Sequence, residues 1–243
     1  MTAAGAARSE PILLFLVATR EPDADSDALC WNLLSEEERA RIQAIACPSR
    51  RRQRLLSRGL LRCIGANLSR RPAREIGIVG GSGAKPRFGG GMGIDFSVSH
   101  SSDRIALAFS RAGEVGCDIE RLRDRPLDSL AATCCGAEEQ RRLAGLDRTG
   151  RLNFLYSRWT LKEALLKGTG EGLSHPMPAI ELAELPSARR GGSEYACRHG
   201  GSAWRLRNWT SRSFSWSLAA RCGDAPVRTI RAPLQAILQA GPR

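Results

Sequence analysis

The sequence predicts a mixed α+β fold in which antiparallel-rich sheets pack on helices. Alternating or continuous apolar segments, typical of strands, occur in two separate parts of the chain, at residues 96–109 and 203–220. Patterns with helical spacing lie at residues 48–62 and 151–168. With 243 residues, the chain is long enough to bury one bilobed core or two packed halves.

The first half is predicted to begin with a buried strand at residues 12–17. A helix should start at Ser35, because Ser35 can cap the free amides of the first turn and Glu38 completes a capping box. A basic helix follows Pro48, where leucines recur at helical spacing. The glycines of residues 77–93 predict a long loop or hairpin, a place where functional residues are common.

The remaining elements follow from the same patterns. The alternation Phe-Ser-Trp-Ser near the end of the chain repeats the earlier Phe-Ser-Val-Ser, which suggests that the halves are alike. Residues 1–9 and the tail after Pro233 are expected to be loosely held. Strands are predicted at 96–99, 105–109, 115–120, 179–182, 203–208 and 214–220, a turn at 111–114, and helices at about 127–146 and 151–168.

The charge of the chain predicts an acidic partner. Arginine and lysine number 37 against 25 acidic residues, a net charge of +12, which attracts polyanions and acidic proteins. Residues 50–54, with Arg58 and Arg62 after them, would suit nucleic-acid phosphates. However, no aromatic residues interleave with this cluster, and the sequence has no zinc-finger, RNA-recognition or cold-shock signature. Most of these arginines are therefore interpreted as a solvated helix face.

Composition also argues against membrane and zinc proteins. The longest apolar run, residues 11–18, is too short to cross a bilayer, and no convincing signal sequence precedes it. We therefore predict a cytoplasmic protein. Eight cysteines show no C-x2-C pairing and no histidine at zinc spacing, so we expect reduced, mostly buried thiols and no structural zinc site.

Lysine usage points to a phosphate site. The chain has three lysines against 34 arginines. Lys85 lies in Gly-Ala-Lys-Pro, and Lys162 and Lys167 lie on either side of Glu163. Where arginine is the ordinary cation, a retained lysine suggests a site that requires a compact ammonium group.

Two carboxylates lie two residues apart on a predicted strand. Asp118 and Glu120 therefore share one face, and they repel each other unless a cation lies between them. Oxygen ligands without histidine or cysteine favour Mg²⁺ over zinc. The alternative is an exposed strand edge that pairs with Arg121 and Arg123.

A third carboxylate strengthens the metal hypothesis. Trp159, Glu163 and Lys167 are four residues apart and share one stripe of a helix. An ordinary surface pair of Glu163 with Lys167 is the alternative, but a tryptophan on the same stripe favours the wall of a cleft. If Glu163 faces Asp118 and Glu120, the three complete a magnesium site, and the lysines neutralise a pyrophosphate.

Ser99 and His100 end a predicted strand, and two roles for His100 stay open. A serine–histidine nucleophile pair has little support, because adjacent strand residues point to opposite faces and Gly-x-Ser-x-Gly is absent. His100 either holds a phosphate or is a structural histidine.

Taken together, these motifs resemble those of the 4′-phosphopantetheinyl transferases of the Sfp type, over residues 35 to 175. The resemblance implies two similar halves related by a pseudo-twofold axis, residues 1–114 and 115–243, with coenzyme A and Mg²⁺ in the cleft between them. The motifs are Gly-Ala-Lys85-Pro86, Phe96-Ser-Val-Ser-His100-Ser, Gly-Cys-Asp118-Ile-Glu120 and Trp159-Thr-Leu-Lys162-Glu163-Ala-Leu-Leu-Lys167.

The resemblance also implies residue roles. The implied metal ligands are Asp118, Glu120 and Glu163, and the implied catalytic residues are Glu163, Lys167 and Asp118. The implied contacts with the coenzyme phosphates are Ser99, His100, Lys162 and Lys167. Lys85 and Pro86 are implied to contact the adenine and the 3′-phosphate. Because Gln53 occupies the position of the family's arginine, Arg52 or Arg54 is expected to replace it. A second departure is the segment Cys134-Cys135-Gly136-Ala137-Glu138. It lacks the phenylalanine that the family has in this carrier-contact region. Glu138 is expected to be the acidic residue of the motif.

The implied reaction is attack by a carrier-protein serine on the phosphorus of coenzyme A, with release of 3′,5′-ADP. Glu163 is the metal ligand, the general base, or both. An acidic acyl or peptidyl carrier protein would account for the positive charge of the chain. The protein is expected to be a monomer. The carrier's pathway, whether fatty acid, polyketide, nonribosomal peptide antibiotic or siderophore, is left open. The alternatives are a Mg²⁺-dependent nuclease or phosphodiesterase, and a basic scaffold protein.

Overall fold

The computed structural model describes residues 10–19, 23–81, 84–124, 126–172, 175–186, 192–221 and 225–240. The strands are β1 (Ile12–Ala18), β2 (Ile78–Val79), β3 (Arg87–Phe88), β4 (Asp95–Ser101), β5 (Arg104–Ser110), β6 (Val115–Arg121), β7 (Ala183–Leu185), β8 (Ser193–His199), β9 (Ser202–Thr210), β10 (Phe214–Ala220) and β11 (Val227–Pro233). The helices are α1 (Ala24–Leu33), α2 (Glu36–Gln43), α3 (Pro48–Ser69), α4 (Asp128–Cys134), α5 (Ala137–Ala144), α6 (Arg148–Thr169) and α7 (Leu234–Gln239), with 3₁₀ turns at Ala73–Glu75 and Met177–Ala179.

The first half is a four-stranded sheet covered on one face by α3. Its order is β11-β1-β5-β4, with β1 antiparallel to β5 and parallel to β11. Val17 of β1 belongs to the same hydrophobic core as Leu60 of α3, whereas Leu14 belongs to a core on the opposite face of the sheet. This alternation is expected of a strand that is buried on both faces.

The second half repeats this plan with a five-stranded sheet and α6. The order is β6-β10-β9-β8-β7, and every neighbouring pair is antiparallel. α3 and α6 are both 22 residues long, and each ends at a residue with left-handed backbone, Arg70 and Gly170. The backbone N–H of each donates to the carbonyl four residues earlier, which closes the helix. The predicted α+β class is confirmed.

The two halves are joined along β4 and β6. These edge strands lie side by side, and the hydroxyl of Ser97 accepts a hydrogen bond from the backbone N–H of Cys117 at 3.0 Å. Behind them, a core shared by both sheets includes Leu14, Ile119 and Trp216. The site described below lies on this seam.

Most of the predicted elements are confirmed. The capping box at the start of α2 is present, because the Ser35 hydroxyl accepts from the Glu38 N–H and the Glu38 side chain accepts from the Ser35 N–H. The glycine-rich region 77–93 carries the short hairpin of β2 and β3. The strands predicted at 12–17, 96–99, 105–109, 115–120, 203–208 and 214–220 and the helices after Pro48 and at 151–168 all occur, each within a few residues of its predicted ends.

Other predicted elements were wrong. The strand expected at 179–182 is instead the end of the turn Met177–Ala179 and the residues before β7, because β8 pairs with this segment only at Ala183–Leu185. The helix expected at about 127–146 is two helices, α4 and α5, which separate at Gly136. The patterns missed α1, β8, β11 and α7 altogether.

The C-terminal tail after Pro233 was expected to be loosely held, and this was wrong as well. Leu234, Ile237 and Leu238 of α7 are buried in the core of the first half. β11 joins the same half through its parallel pairing with β1. The predicted division at residue 114 therefore does not describe β11 and α7, which return to the first half of the fold. Residues 1–9 lie outside the described residues.

Among the described residues, no helix combines the length and the apolar character needed to cross a membrane. Seven of the eight cysteines are described, and all seven are free thiols. Six of them are buried and Cys47 is exposed, in agreement with the prediction of mostly buried, reduced thiols.

Candidate functional site

Alternating serines of β4 hold the two acidic residues of β6. Ser99 Oγ donates to Asp118 Oδ1 at 2.7 Å, and Ser101 Oγ donates to Glu120 Oε2 at 2.7 Å. The two-residue period of each strand places both carboxylates at the same side of the seam. Ile119 lies between them and is buried in the shared core, as predicted.

Close packing at Gly116 brings α6 onto these carboxylates. A Cβ atom at Gly116 would lie 1.9 Å from the carbonyl oxygen of Ala164 and 2.5 Å from the backbone nitrogen of Gly168. The glycine of the Gly-x-Asp-x-Glu motif therefore permits a backbone contact that no other residue allows. Through this contact, Glu163 and Lys167 of α6 lie beside the acidic pair.

Asp118 has one satisfied and one unsatisfied oxygen. Its side chain is buried, with the residue 2% exposed, and Oδ1 accepts from Lys167 Nζ at 2.6 Å and from Ser99. Oδ2 is buried and has no hydrogen-bond partner among the residues that the structure describes. A buried carboxylate oxygen without a partner is costly, so the site lacks a donor or a cation at this position. The residues therefore fit a hard metal ion.

The carboxyl group of Glu163 has a perturbed pKa. Its pKa is raised from 4.5 to about 6, first because burial disfavours the charged form and then because of the negative charges of Asp118 and Glu120, while Lys167 opposes the shift. The charges of both acidic residues of β6 therefore influence the pKa of Glu163. In the described structure, however, the three carboxylates do not form a set with all ligand atoms within 4.8 Å, so a metal would have to draw them together.

Lys167 has a raised pKa despite its burial. Burial alone would lower the pKa, but the charge of Asp118, the hydrogen bond to it and the charge of Glu163 together outweigh that effect. Nζ also donates to Ser99 Oγ at 2.9 Å. Lys167 is thus a cation held at the seam by Asp118 and Ser99, and its predicted phosphate contact stays a prediction.

A cavity of about 310 Å³ opens between the halves next to this cluster. It is bounded by α3, β4, the segment that contains Lys85 and Pro86, and the end of α6 with Lys167 and Gly170. A second cavity, of about 1030 Å³, shares Arg54 with the first and is lined by His100. Pro86 and His100 therefore line the two cavities, and their predicted contacts with coenzyme A stay predictions.

His100 is exposed, and its pKa is lowered, first by partial desolvation of the ring and then by the Lys167 cation, which opposes its protonation. At neutral pH the imidazole is therefore uncharged. A neutral ring can still donate one hydrogen bond to a phosphate oxygen, but it contributes no charge.

The structure separates the arginines of α3. Arg52 donates from Nε to both oxygens of Asp27, at 3.1 and 2.9 Å, and from Nη1 to the Thr19 carbonyl. Arg54, in contrast, lines both cavities and has no hydrogen bond or ion pair with any residue that the structure describes. Of the two candidates for the coenzyme, the geometry favours Arg54.

Arg58 is a cleft residue that sequence reasoning placed on a solvated face. It lines the smaller cavity, and its buried Nη1 lies 3.8 Å from Glu38 Oε1 and has no hydrogen-bond partner in the part of the chain that the structure describes. Its spacing of four from Arg54 on α3 was the available signal. Arg62 is also not solvated, because it is buried and donates twice to Glu38.

The predicted phosphate contact of Lys85 needs correction. Its ammonium donates to Asp95 and to the carbonyls of Val115 and Gly168, both at 3.0 Å, and its side chain is 5% exposed. An ammonium group has three donors, and all three are used. Lys85 thus links the two halves, and only its carbon chain faces the cavity.

Lys162 also does not reach the cleft. It is 0% exposed and donates to the Cys134 carbonyl at 2.8 Å and to Glu139 Oε2 at 2.5 Å. The prediction that it contacts phosphate is therefore wrong in this structure, as is the assignment of Glu138 as the motif's acid. Glu139 is the residue that pairs with Lys162, whereas Glu138 is exposed and pairs with Arg141.

Comparisons with known proteins give one consistent result. A family model described as the 4′-phosphopantetheinyl transferase superfamily matches residues 114–220. 4′-Phosphopantetheinyl transferase HetI of Nostoc sp. is 30% identical over 184 residues, which cover 74% of this chain and 76% of that protein. 4′-Phosphopantetheinyl transferase AcpT of Salmonella typhi is 38% identical over 46% of this chain and 57% of its own length. 4′-Phosphopantetheinyl transferase Sfp of Bacillus subtilis is 29% identical over 36% of this chain and 38% of its own length.

Proposed function

The chain belongs to the 4′-phosphopantetheinyl transferase superfamily, and from this premise we propose that it transfers phosphopantetheine from coenzyme A to a serine of a carrier protein. The family predicted from the motifs, and an enzyme of this class, are thereby confirmed. The residues that carry out the transfer, the metal and the carrier are parts of the proposal. The observation that carries it is the seam site, where Lys167 binds one oxygen of Asp118 and leaves the other buried and unpaired.

We assign Asp118, Glu120 and Glu163 as the ligands of a magnesium ion. A cation would pair with the unpaired Asp118 Oδ2, and it would stabilise the charged form of Glu163, which burial and then the charges of Asp118 and Glu120 disfavour. When bound, the ion supplies charge neutralisation and polarisation of the diphosphate oxygens. Oxygen-only ligands favour Mg²⁺ over zinc at this position.

The chain's own residues supply the remaining chemistry. Lys167 is held by Asp118 and Ser99, so its charge is pre-positioned for negative charge that grows on the leaving diphosphate. Glu163 is half-buried, and with a pKa of about 6 it is ionised at neutral pH, so it can accept the proton of the attacking serine. His100 donates a hydrogen bond to a phosphate oxygen as a neutral ring.

The carrier is proposed to be acidic. The net charge of +12 favours an acidic partner by long-range steering, and the larger cavity beside the seam is lined by Arg50, Arg52, Arg54 and Arg123. The cytoplasmic location and the monomeric state remain predictions. A nuclease would use the same carboxylates, and the test below separates the two activities.

The test of the proposal uses purified protein, an apo acyl or peptidyl carrier, coenzyme A and Mg²⁺, with the carrier weighed by intact mass spectrometry. We expect the carrier to gain one phosphopantetheine, and the gain to disappear with EDTA and return with added Mg²⁺. A carrier whose serine is replaced by alanine is the control. No gain with several carrier types, together with metal-dependent cleavage of nucleic acid, would replace this function by the nuclease alternative.

Arg54 and Arg52 offer a matched pair for the coenzyme site. We expect Arg54→Ala to raise the KM for coenzyme A by about 10-fold or more, since a charge-assisted hydrogen bond contributes roughly 1.5–3 kcal/mol. Arg52→Ala should lower the melting temperature, because it breaks the bonds to Asp27 and Thr19, with a smaller change in KM. Steady-state kinetics and thermal unfolding of both variants check this; a larger KM effect at Arg52 would reverse the assignment.

A further inference from the structure

Two of the chain's three histidines meet a glutamate outside the seam. His199 Nε2 lies 2.7 Å from Glu171 Oε2, and His175 Nδ1 lies 3.7 Å from the same oxygen. The imidazole rings of His175 and His199 are 4.6 Å apart between centroids and nearly perpendicular, at 81°. One ligand atom from each residue lies within 4.8 Å of the others.

The three residues come from two separate parts of the fold. Glu171 directly follows the left-handed Gly170 that ends α6, His175 precedes the turn Met177–Ala179, and His199 ends β8. In a chain so poor in histidine, two imidazoles 24 positions apart in sequence converge on a single carboxylate oxygen. An ion pair with Glu171 requires only one imidazole, whereas two imidazoles face the same carboxylate oxygen here.

We propose that Glu171, His175 and His199 form a zinc site that is distinct from the magnesium site at the seam. Two imidazole nitrogens and one carboxylate oxygen are ligands of the borderline kind that zinc prefers over Mg²⁺. Three protein ligands with a fourth, solvent-filled position is a common zinc arrangement. Tetrahedral Zn–N and Zn–O bonds of about 2.0–2.2 Å place the ligand atoms about 3.3–3.6 Å from one another. The present separations between ligand atoms, 2.7 Å, 3.7 Å and within 4.8 Å, therefore require shifts of about 1 Å or less. Glu171 and His175 can make them because their side chains are 38% and 35% exposed.

The position of this site links it to the cleft. Gly170 and Gly172, on either side of Glu171, both line the 310 Å³ cavity. Gly170 also packs closely on Lys85, since a Cβ built there would lie 3.1 Å from the Cβ of Lys85. Zinc would therefore fasten the segment after α6 to the end of β8 and fix one wall of the cavity. The sequence predicted no structural zinc site because its cysteines lack C-x2-C pairs and nearby histidines. That pattern does not bear on a site formed by two histidines and a glutamate.

The experiment uses the full chain after chelator treatment, with Mg²⁺ in large excess throughout to occupy the seam carboxylates. Zinc affinity and stoichiometry are measured by competition with a chromophoric chelator. We expect one zinc per chain with a Kd of micromolar or tighter, and a loss of affinity of about 10-fold or more in both His175→Gln and His199→Gln. Zinc should raise the melting temperature of the unmodified chain and not that of these variants.

Three controls distinguish this site from other zinc ligands. Cys47→Ser removes the exposed thiol, and Asp118→Asn removes a seam carboxylate; both are expected to keep the zinc equivalent. Co²⁺ should give a visible spectrum of nitrogen and oxygen coordination without a sulfur-to-cobalt charge-transfer band. His199 is mostly buried, whereas His175 is partly exposed, so the His175 variant tests the site even if the other unfolds. Zinc binding that both histidine variants retain, or no binding at micromolar zinc, would overturn the proposal, whatever the outcome of the transferase assay.

Discussion

Asp118→Asn is expected to reduce phosphopantetheine transfer by about 100-fold or more while the protein stays folded. Asparagine has the shape of aspartate, and its carbonyl oxygen can keep the bonds from Lys167 and Ser99 that Oδ1 now accepts. Its amide nitrogen then occupies the position of Oδ2, the buried oxygen without a partner. A nitrogen that carries two protons repels a cation there, so the substitution removes the metal and leaves the hydrogen bonds.

Steady-state transfer, Mg²⁺ titration and thermal unfolding of Asp118→Asn check this result. Asp124→Asn is the matched control, because Asp124 is an exposed carboxylate whose partner is the exposed Arg148. The control should keep normal activity and Mg²⁺ dependence. Near-normal transfer by Asp118→Asn at ordinary Mg²⁺ concentration would remove Asp118 from the set of metal ligands.

The parts of the site that the sequence could predict are those that depend on local periodicity. A two-residue period places Asp118 and Glu120 on one face of β6 and Ser99 and Ser101 on one side of β4. A helical spacing of four then brings Glu163 and Lys167 to one stripe of α6. Each pattern predicts which side chains share one face of a strand or helix. The family resemblance then implied that these faces of β4, β6 and α6 come together at one site.

The wrong predictions about the site concern the residue that a side chain contacts on another element of the fold. Lys85 and Lys162 are both in the right motifs, yet their ammonium groups bind Asp95 and Glu139 in the interior. A motif gives no information on such a partner, because the buried acid lies on another element. The same limitation placed Arg58 on a solvated face, although tertiary packing turns it into the cleft.

The missed C-terminal elements have a different cause. β11 alternates exposed and partly buried residues at a sheet edge, so its apolar pattern is weak. Its place is fixed by parallel pairing with β1, a contact that spans more than 200 residues of sequence. Local patterns do not encode such a long-range pairing, and α7 follows β11 into the first half.

Glu163→Gln is expected to lower kcat by about 10²- to 10⁴-fold, the usual contribution of a general base, with a smaller change in coenzyme A affinity. Glutamine keeps the size of the side chain but cannot accept the serine proton. Wild-type and variant should be compared in kcat, in coenzyme A affinity and in Mg²⁺ affinity. Equal losses in all three would leave Glu163 with the ligand role alone.

The stability of the metal-free variant gives a second, independent readout. Because the pKa of Glu163 is raised from 4.5 to about 6, the folded chain loses stability as the pH rises from about 4.5 to about 6, and this loss is complete above about pH 6. Glu163→Gln removes that charge, so the metal-free variant should melt at a higher temperature than the metal-free wild-type chain at pH 8. The gain should vanish below about pH 4.5, where Glu163 is protonated in both the folded and the unfolded state. Saturating Mg²⁺ should reverse the order at pH 8, because the ion stabilises the three carboxylates more than it stabilises a site with two.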